Sequence, residues 1–238
     1  MKPVIDFHSH ILPGIDDGSR NIQESLEMLR KEAEHGVRYV VATPHFYGNH
    51  DSLERFLYRR ADAVTKLKEA MAGQENLPRL IIGAEVYYFP GISESDALPE
   101  LTIGSRKAVL VEMPHGPWTQ VMYQELEDIY SRRGIIPIVA HVDRYISPLQ
   151  THRIPQRLVE LPVMVQANAE FFLNRTTAGM ALRMLKKGQI HLLGTDCHNM
   201  KSRMPNLEPA LRLIEERLGS GAIDHIRTHE RMILADRA

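Results

Sequence analysis

The sequence of 238 residues contains one cysteine, Cys197, which excludes an internal disulfide and a cysteine-based zinc site and is compatible with a reducing compartment. No stretch approaches the roughly 18 consecutive apolar residues that a spanning helix needs, so direct membrane insertion is not expected. The opening residues Met1-Lys2-Pro3-Val4-Ile5-Asp6-Phe7-His8 carry charge where a secretory leader has its apolar region, and the expected location is cytoplasmic. An excess of one charge is also lacking. Lysine plus arginine number 29 against 30 aspartate plus glutamate, a formal net charge of -1, which leaves no bulk positive field for a polyanion. Nucleic acid is therefore not an expected partner. No repeat and no long Pro/Gly/Ser linker divides the chain, so a single domain over residues 1–238 is expected. With 43% hydrophobic and 25% charged residues, its composition is that of a globular protein with a sizeable core.

Short Val- and Ile-rich runs alternate with longer stretches of helical pattern, which predicts an α/β fold with a largely parallel sheet. The expected strands are Pro3 to Phe7, Arg38 to Thr43, Leu80 to Glu85, Ala108 to Glu112, Ile135 to His141, Val163 to Asn168 and Ile190 to Thr195. Helical stretches are Asn21 to His35, Ser52 to Met71, Thr119 to Arg133, Pro155 to Glu160, Thr176 to Lys187 and Leu207 to Leu218. Gly36 and Gly134 stand where two of these should stop. Seven β/α units fit an open or distorted barrel, and a doubly wound sheet reads similarly because strand order is invisible in one sequence.

In either architecture chemistry sits at the carboxyl ends of the strands. The first strand runs into Asp6-Phe7-His8-Ser9-His10, the second into Thr43-Pro44-His45, the third into Glu85, the fourth into Glu112 and the fifth into His141. The seventh runs into Asp196-Cys197-His198, and only the sixth, ending on Asn168, lacks a His, Asp or Glu. Alternation along an extended segment would point Asp6, His8 and His10 one way, and likewise Asp196 and His198. Any one of these residues has an ordinary reading: a carboxylate that caps a helix, a histidine satisfied in the core. Together they do not, because burying so many ionisable groups costs several kcal/mol per unpaired charge unless cations compensate. Imidazole and carboxylate are the ligand set of catalytic divalent metals.

Asp-x-His-x-His, Thr-Pro-His, an isolated Glu, a later His and a final Asp-x-His resemble the PHP (polymerase and histidinol phosphatase) superfamily of metal-dependent phosphoesterases. Gly14-Ile15-Asp16-Asp17-Gly18-Ser19, His141-Val142-Asp143-Arg144-Tyr145 and the segment from Asp196 through Arg203 to Pro205 narrow the match. These look like the manganese-dependent protein-tyrosine phosphatases of bacterial capsule and exopolysaccharide operons, the CpsB/YwqE type. The resemblance implies a PHP-type distorted (β/α)7 barrel and a centre of three divalent ions, manganese by family, with iron or zinc compatible with the ligands. It implies one ion on His8, His10, Glu85 and Asp196. A second shares Glu85 and adds Glu112 and His141, and a third takes Asp17, His45 and His198. Arg144 and Arg203 correspond to two arginines that face the phosphate. The implied substrate is a phosphotyrosine protein, the tail of a tyrosine kinase of polysaccharide assembly.

Charge agrees with that reading: three divalent ions against four carboxylates leave about +2, matched to a phosphate monoester dianion. The expected chemistry is one displacement at phosphorus by water whose pKa coordination lowers.

Cys197 and Arg203 also fit the Cys-x5-Arg signature of thiol-dependent tyrosine phosphatases, but the intervening residues lack the glycine that close approach to phosphate favours. Cys197 is expected to be a small packed side chain. His115 and Trp118, and Tyr87 and Tyr88, are read as either site lining or packing, and Arg55, Arg59 and Arg60 as a solvated face. His35, His50, His152, His191, His225 and His229 show no ligand pattern. The rival enzyme is a small-molecule phosphoesterase of the histidinol phosphatase type. A polymerase-associated nuclease and a metal-stabilised binding module without turnover fit the sequence less well.

Overall fold

The structure, a computed structural model, describes residues 4–104, 107–146 and 153–234. Its strands are β1 (Val4–Ser9), β2 (Val37–Ala42), β3 (His45–Tyr47), β4 (Arg79–Ile82), β5 (Glu85–Tyr87), β6 (Ala108–Glu112), β7 (Ile136–Val139), β8 (Met164–Asn168) and β9 (Leu192–Gly194). The helices are α1 (Ile22–Glu34), α2 (Leu53–Met71), α3 (Gln120–Arg133), α4 (Arg153–Val159), α5 (Ala169–Leu173), α6 (Ala178–Lys186), α7 (Leu207–Leu218) and α8 (Ser220–Leu234). Asn21, Ser52 and Thr119 begin α1, α2 and α3 by accepting a hydrogen bond from a backbone N–H of the first turn. Helices α5 and α8 were not expected, and Pro3 and His152 lie outside the described residues.

The strand expected over Leu80 to Glu85 is broken into an inner and an outer piece, and the one expected over Arg38 to Thr43 is followed by an outer piece, β3, beyond its expected end. Thr43-Pro44 separates β2 from β3, because proline has no N–H to continue a ladder, and Gly83-Ala84 separates β4 from β5. Pairing continues across the breaks, with Gly83 N donating to Ala42 O at 2.9 Å and Glu85 N to Pro44 O at 3.0 Å. The named strands pair in parallel, in the orders β1-β2-β4 and β3-β5-β6-β7-β8-β9. Closure comes at the carboxyl end of β1. There Asp196 N donates to His8 O at 2.7 Å and His10 N to Cys197 O at 2.9 Å. Seven staves thus form a distorted barrel.

Two cores support it. Inside the barrel, Ile5, Phe7, Val41, Ile81, Leu110 and Ile138 meet Ile233 and Leu234, so the end of α8 packs against the barrel interior. A larger cluster lies between strands and helices, including Leu29, Phe56, Leu126 and Ile214. The sequence pattern of α8 is masked by Glu230, which is buried among Ile223, Ile226 and Ile233 on the helix's inner face. Arg59 and Arg60 do not form a purely solvated face. Arg59 donates to Ile15 O, and Arg60 to Gly83 O and Glu100 O, tying α2 to loops beside the barrel mouth. Among the described residues no helix is long and apolar enough to cross a membrane.

Candidate metal centre

One irregularity in β1 decides which side chains face the mouth. Asp6 pairs with Val40 and Ser9 with Ala42, three steps on β1 against two on β2, so a bulge interrupts strict alternation. Asp6 consequently does not join His8 and His10. Its carboxylate accepts from Thr195 N at 2.9 Å and from Thr195 Oγ1 at 2.6 Å, and it lies in a buried group with Glu32 and Cys197. Close approach on the other side of β1 requires Gly194, where a Cβ would come within 2.5 Å of the His8 Cβ.

The remaining expected residues come together. Glu85 is fully buried, and its Oε2 stands 3.2 Å from His8 Nε2, 3.2 Å from His10 Nε2 and 3.1 Å from His45 Nδ1. Its Oε1 is 2.8 Å from His141 Nε2, which is itself 3.5 Å from Glu112 Oε1. Asp196 Oδ1 is 3.5 Å from His8 Nε2 and 3.4 Å from His10 Nε2. On the solvent side, Asp17 Oδ1 stands 3.4 Å from both His45 Nε2 and His198 Nε2. Ligand-forming atoms converge in three overlapping groups: His8, His10 and Glu85; His45, Glu85 and Glu112; and His10, Asp17, His45 and His198. The third therefore contains His10 in addition to the expected residues, and His45 stands where His141 was expected to be alone with the two glutamates.

The donor set fits divalent cations on its own geometry. His8 Nε2 and His10 Nε2 face each other at 3.1 Å, yet Glu85 Oε2 and His198 Nε2 are buried without a hydrogen-bond partner. Lone pairs converging without enough protons between them are what a cation satisfies. Burial alone would push the Glu85 carboxyl up, but the imidazoles of His8, His10, His141 and His45 hold it well below the usual carboxylate range. Asp196 follows the same balance, raised by burial and held low by His8 and His10. Burial, then His10, pushes His198 down to about 4.

Sequence reading missed the residues that aim these rings. Asp16 Oδ2 accepts from His10 Nδ1 at 2.8 Å and from His45 N at 3.1 Å. Gln166 Oε1 accepts from His8 Nδ1 at 3.2 Å and from His141 N at 2.6 Å. His198 Nδ1 donates to Asp196 O at 3.0 Å. In each case an engaged Nδ1 leaves Nε2 to the cluster, the outer-shell arrangement that fixes tautomer and ring orientation in metal sites. The one available signal for Asp16 was its place beside Asp17; Gln166 gave none, because a glutamine inside a β-strand has no motif. His141 (φ 29°) and Asp196 (φ 53°) occupy the left-handed region despite carrying side chains, strain of the kind that collects at functional sites. Asp16→Asn keeps the shape of the side chain but weakens the acceptor, and should lower metal affinity about 10- to 100-fold while leaving the fold intact. Calorimetric titration of the metal-free variant, beside circular dichroism, checks this.

Arg144 and Arg203 reach the same rim. Both guanidinium groups are paired with Asp196 Oδ2, while Arg144 Nη1 is 3.4 Å from Glu112 Oε1. A cleft of about 320 Å³ opens beside them, bounded by Asp143, Asn168, Glu170, Asn174 and Asn206. Asn168, the one strand end without an ionisable group, donates to Asp196 Oδ2 at 3.2 Å. Trp118 is buried against Tyr145 and Tyr123 with its Nε1 donating to Pro114 O, so it is a packing residue. Tyr88 is likewise buried, its hydroxyl on Glu125, whereas Tyr87 lines a separate pocket. Cys197 is fully buried, and burial pushes its thiol well up, away from nucleophilic use.

Parallel β/α staves closed into a barrel, with clustered imidazoles and carboxylates at the carboxyl ends, define a barrel protein built around a candidate metal centre. The family model described as capsular polysaccharide synthesis, CpsB/CapC, matches residues 4–234, and the chain belongs to that family. It is 26% identical over 228 residues to the tyrosine-protein phosphatase YwqE of Bacillus subtilis (strain 168), covering 91% of this chain and 86% of that one. Over 221 residues it is 27% identical to the tyrosine-protein phosphatase CpsB of Streptococcus agalactiae serotype III (strain NEM316), covering 89% of each. The fold matches a chain from the crystal structures of YwqE from Bacillus subtilis and CpsB from Streptococcus pneumoniae, described as unique metal-dependent tyrosine phosphatases. That match has a TM-score of 0.87 at 24% identity and covers 99% of this chain and 96% of the other.

Proposed function

We propose that this chain is a cytoplasmic, single-domain, metal-dependent phosphatase that hydrolyses phosphotyrosine on protein, with the tail of a polysaccharide-assembly tyrosine kinase as its substrate. The observation that carries the reading is the convergence of imidazole Nε2 atoms on the buried Glu85 carboxylate, rimmed by two arginines. Two curated relatives, from Bacillus and Streptococcus, are both named tyrosine-protein phosphatases.

His8, His10, Glu85 and Asp196 would hold one ion, Glu85, Glu112 and His141 a second, and Asp17, His45 and His198 a third, with Mn2+ the family's metal and Fe or Zn compatible. When bound, such ions supply Lewis-acid activation of water and neutralise phosphoryl oxygens. Asp16, Gln166 and the Asp196 carbonyl hold protons at Nδ1 of His10, His8 and His198, which keeps each Nε2 unprotonated and aimed. Arg144 and Arg203 present planar paired donors to the oxygens of the transferring group, where guanidinium is superior to an ammonium. A phenolate leaves with a conjugate-acid pKa of about 10, lower than an alkyl alcohol, so a tyrosine ester asks less of a general acid.

Turnover of a phosphotyrosine peptide, measured beside histidinol phosphate, tests the substrate class. The peptide is expected to be preferred by at least about tenfold in kcat/KM, a difference of roughly 1.4 kcal/mol in transition-state binding. Preference for histidinol phosphate would replace this reading with the small-molecule one. Cys197→Ser, run in the same assay, should keep wild-type turnover to within about threefold, because a thiol nucleophile would lose far more.

A further inference from the structure

On the opposite side of the mouth from the arginines' cleft lies a second pocket, of about 350 Å³, lined by Tyr47, Gly48, Asn49, His50, Tyr87 and Phe89. The two differ in chemistry. The cleft is walled mostly by arginines, amides, hydroxyls and carboxylates, with Phe171 and Met204 its apolar part, and an aromatic ring there would leave much of that hydrogen-bonding capacity unmet. The second pocket is walled by three aromatic side chains. Tyr47 and Tyr87 stand 5.7 Å apart between ring centroids, side by side at the ends of the paired strands β3 and β5. Phe89 closes the wall, and Gly48 rests so near it that a Cβ there would come within 2.6 Å of the ring. Tyr47 is 40% exposed, which leaves part of its ring accessible at the pocket.

Position joins this pocket to the metal centre. Tyr47 follows His45 by two residues on β3, and their ring centroids are 5.4 Å apart, while Tyr87 follows Glu85 by two on β5. The strands that deliver two of the expected ligands therefore deliver the aromatic wall as well. We infer that this pocket seats the phenyl ring of the substrate ester, so that Tyr47 and Tyr87 are specificity-determining residues. The inference rests on the phosphotyrosine reading above. Aromatic pairs at centroid separations of about 4.5–7 Å in offset or edge-to-face arrangement contribute beyond the area they bury, and an alkyl ester of serine or threonine gains none of this.

The test uses the full-length, metal-loaded protein and three variants, Tyr47→Ala, Tyr87→Ala and Tyr47→Phe. Two quantities are read: KM for a phosphotyrosine peptide, and the inhibition constant of inorganic phosphate, which carries the dianion without the ring. Each alanine variant should raise KM roughly three- to tenfold, leave the phosphate constant within about twofold, and leave bound metal unchanged. Tyr47→Phe, which keeps the ring, should behave as wild type. A parallel rise in both quantities would mean that the tyrosines only support the metal centre, and unchanged KM would mean that the ring binds elsewhere. Either result overturns the inference while wild-type turnover of the peptide stands. Wild-type protein inert toward the peptide would remove the parent reading instead.

Discussion

Treating the protein with a strong chelator and removing the complex is expected to abolish phosphatase activity, by at least about 10⁴-fold, and refilling with Mn2+ to restore it. The expectation follows from how little the protein's own groups can do without cations. The imidazoles and carboxylates that converge at the mouth are engaged with one another, the arrangement in which a bound cation would supply the activation of water. Thermal stability should respond with activity. A cation that binds only the folded chain stabilises it by about 2.7 kcal/mol at one hundred times its dissociation constant, so the unfolding midpoint should rise with metal concentration. Binding requires neutral imidazoles and ionised carboxylates, which makes the restored activity fall away on the acid side as protons compete for the same lone pairs. Metal content by mass spectrometry, activity and unfolding temperature, recorded on the same samples, check the three parts. Full activity in protein free of metal would end the metal mechanism.

Glu85→Gln is expected to cost on the order of 10⁴-fold in kcat/KM with the fold retained. Glu85 contributes to two of the three groups of converging atoms, and among the described residues it is the only carboxylate that approaches four imidazoles. The amide has nearly the same shape, but it removes a negative charge and substitutes an NH2 donor at a place where neighbouring nitrogens already present lone pairs to a cation. Glutamine should therefore hold fewer ions, and those it holds less tightly, than the wild type. Metal counting against protein concentration, with circular dichroism as the control for folding, distinguishes this from collapse of the barrel. A variant that keeps both its ions and its rate would show that Glu85 is only a buried anion of the core.

How the centre was legible from sequence differs by residue. His8, His10, His45, Glu85, His141, Asp196 and His198 could be picked out because ionisable residues placed where apolar strands end have few structural uses, and they stand in short motifs. Asp6 was placed with them because alternation is the only guide to facing in an unseen strand, and the bulge in β1 invalidates it. Asp16 and Gln166 could not be read as supports at all. Their function lies in which imidazole each meets, and Gln166 meets two groups that are 158 and 25 residues away in the chain.

By itself the sequence determined that β/α units alternate, that their strands run parallel, and which residue types crowd the carboxyl ends. Those properties follow from local periodicity and from the cost of burying charge, and they hold for any strand order. Only the tertiary structure decided that the barrel closes through β1 against the segment after β9, that α8 packs into its base, and that Tyr47 and Tyr87 form one aromatic wall. Each of these depends on contacts between segments far apart in the chain, where packing chooses among arrangements that local pattern leaves equal.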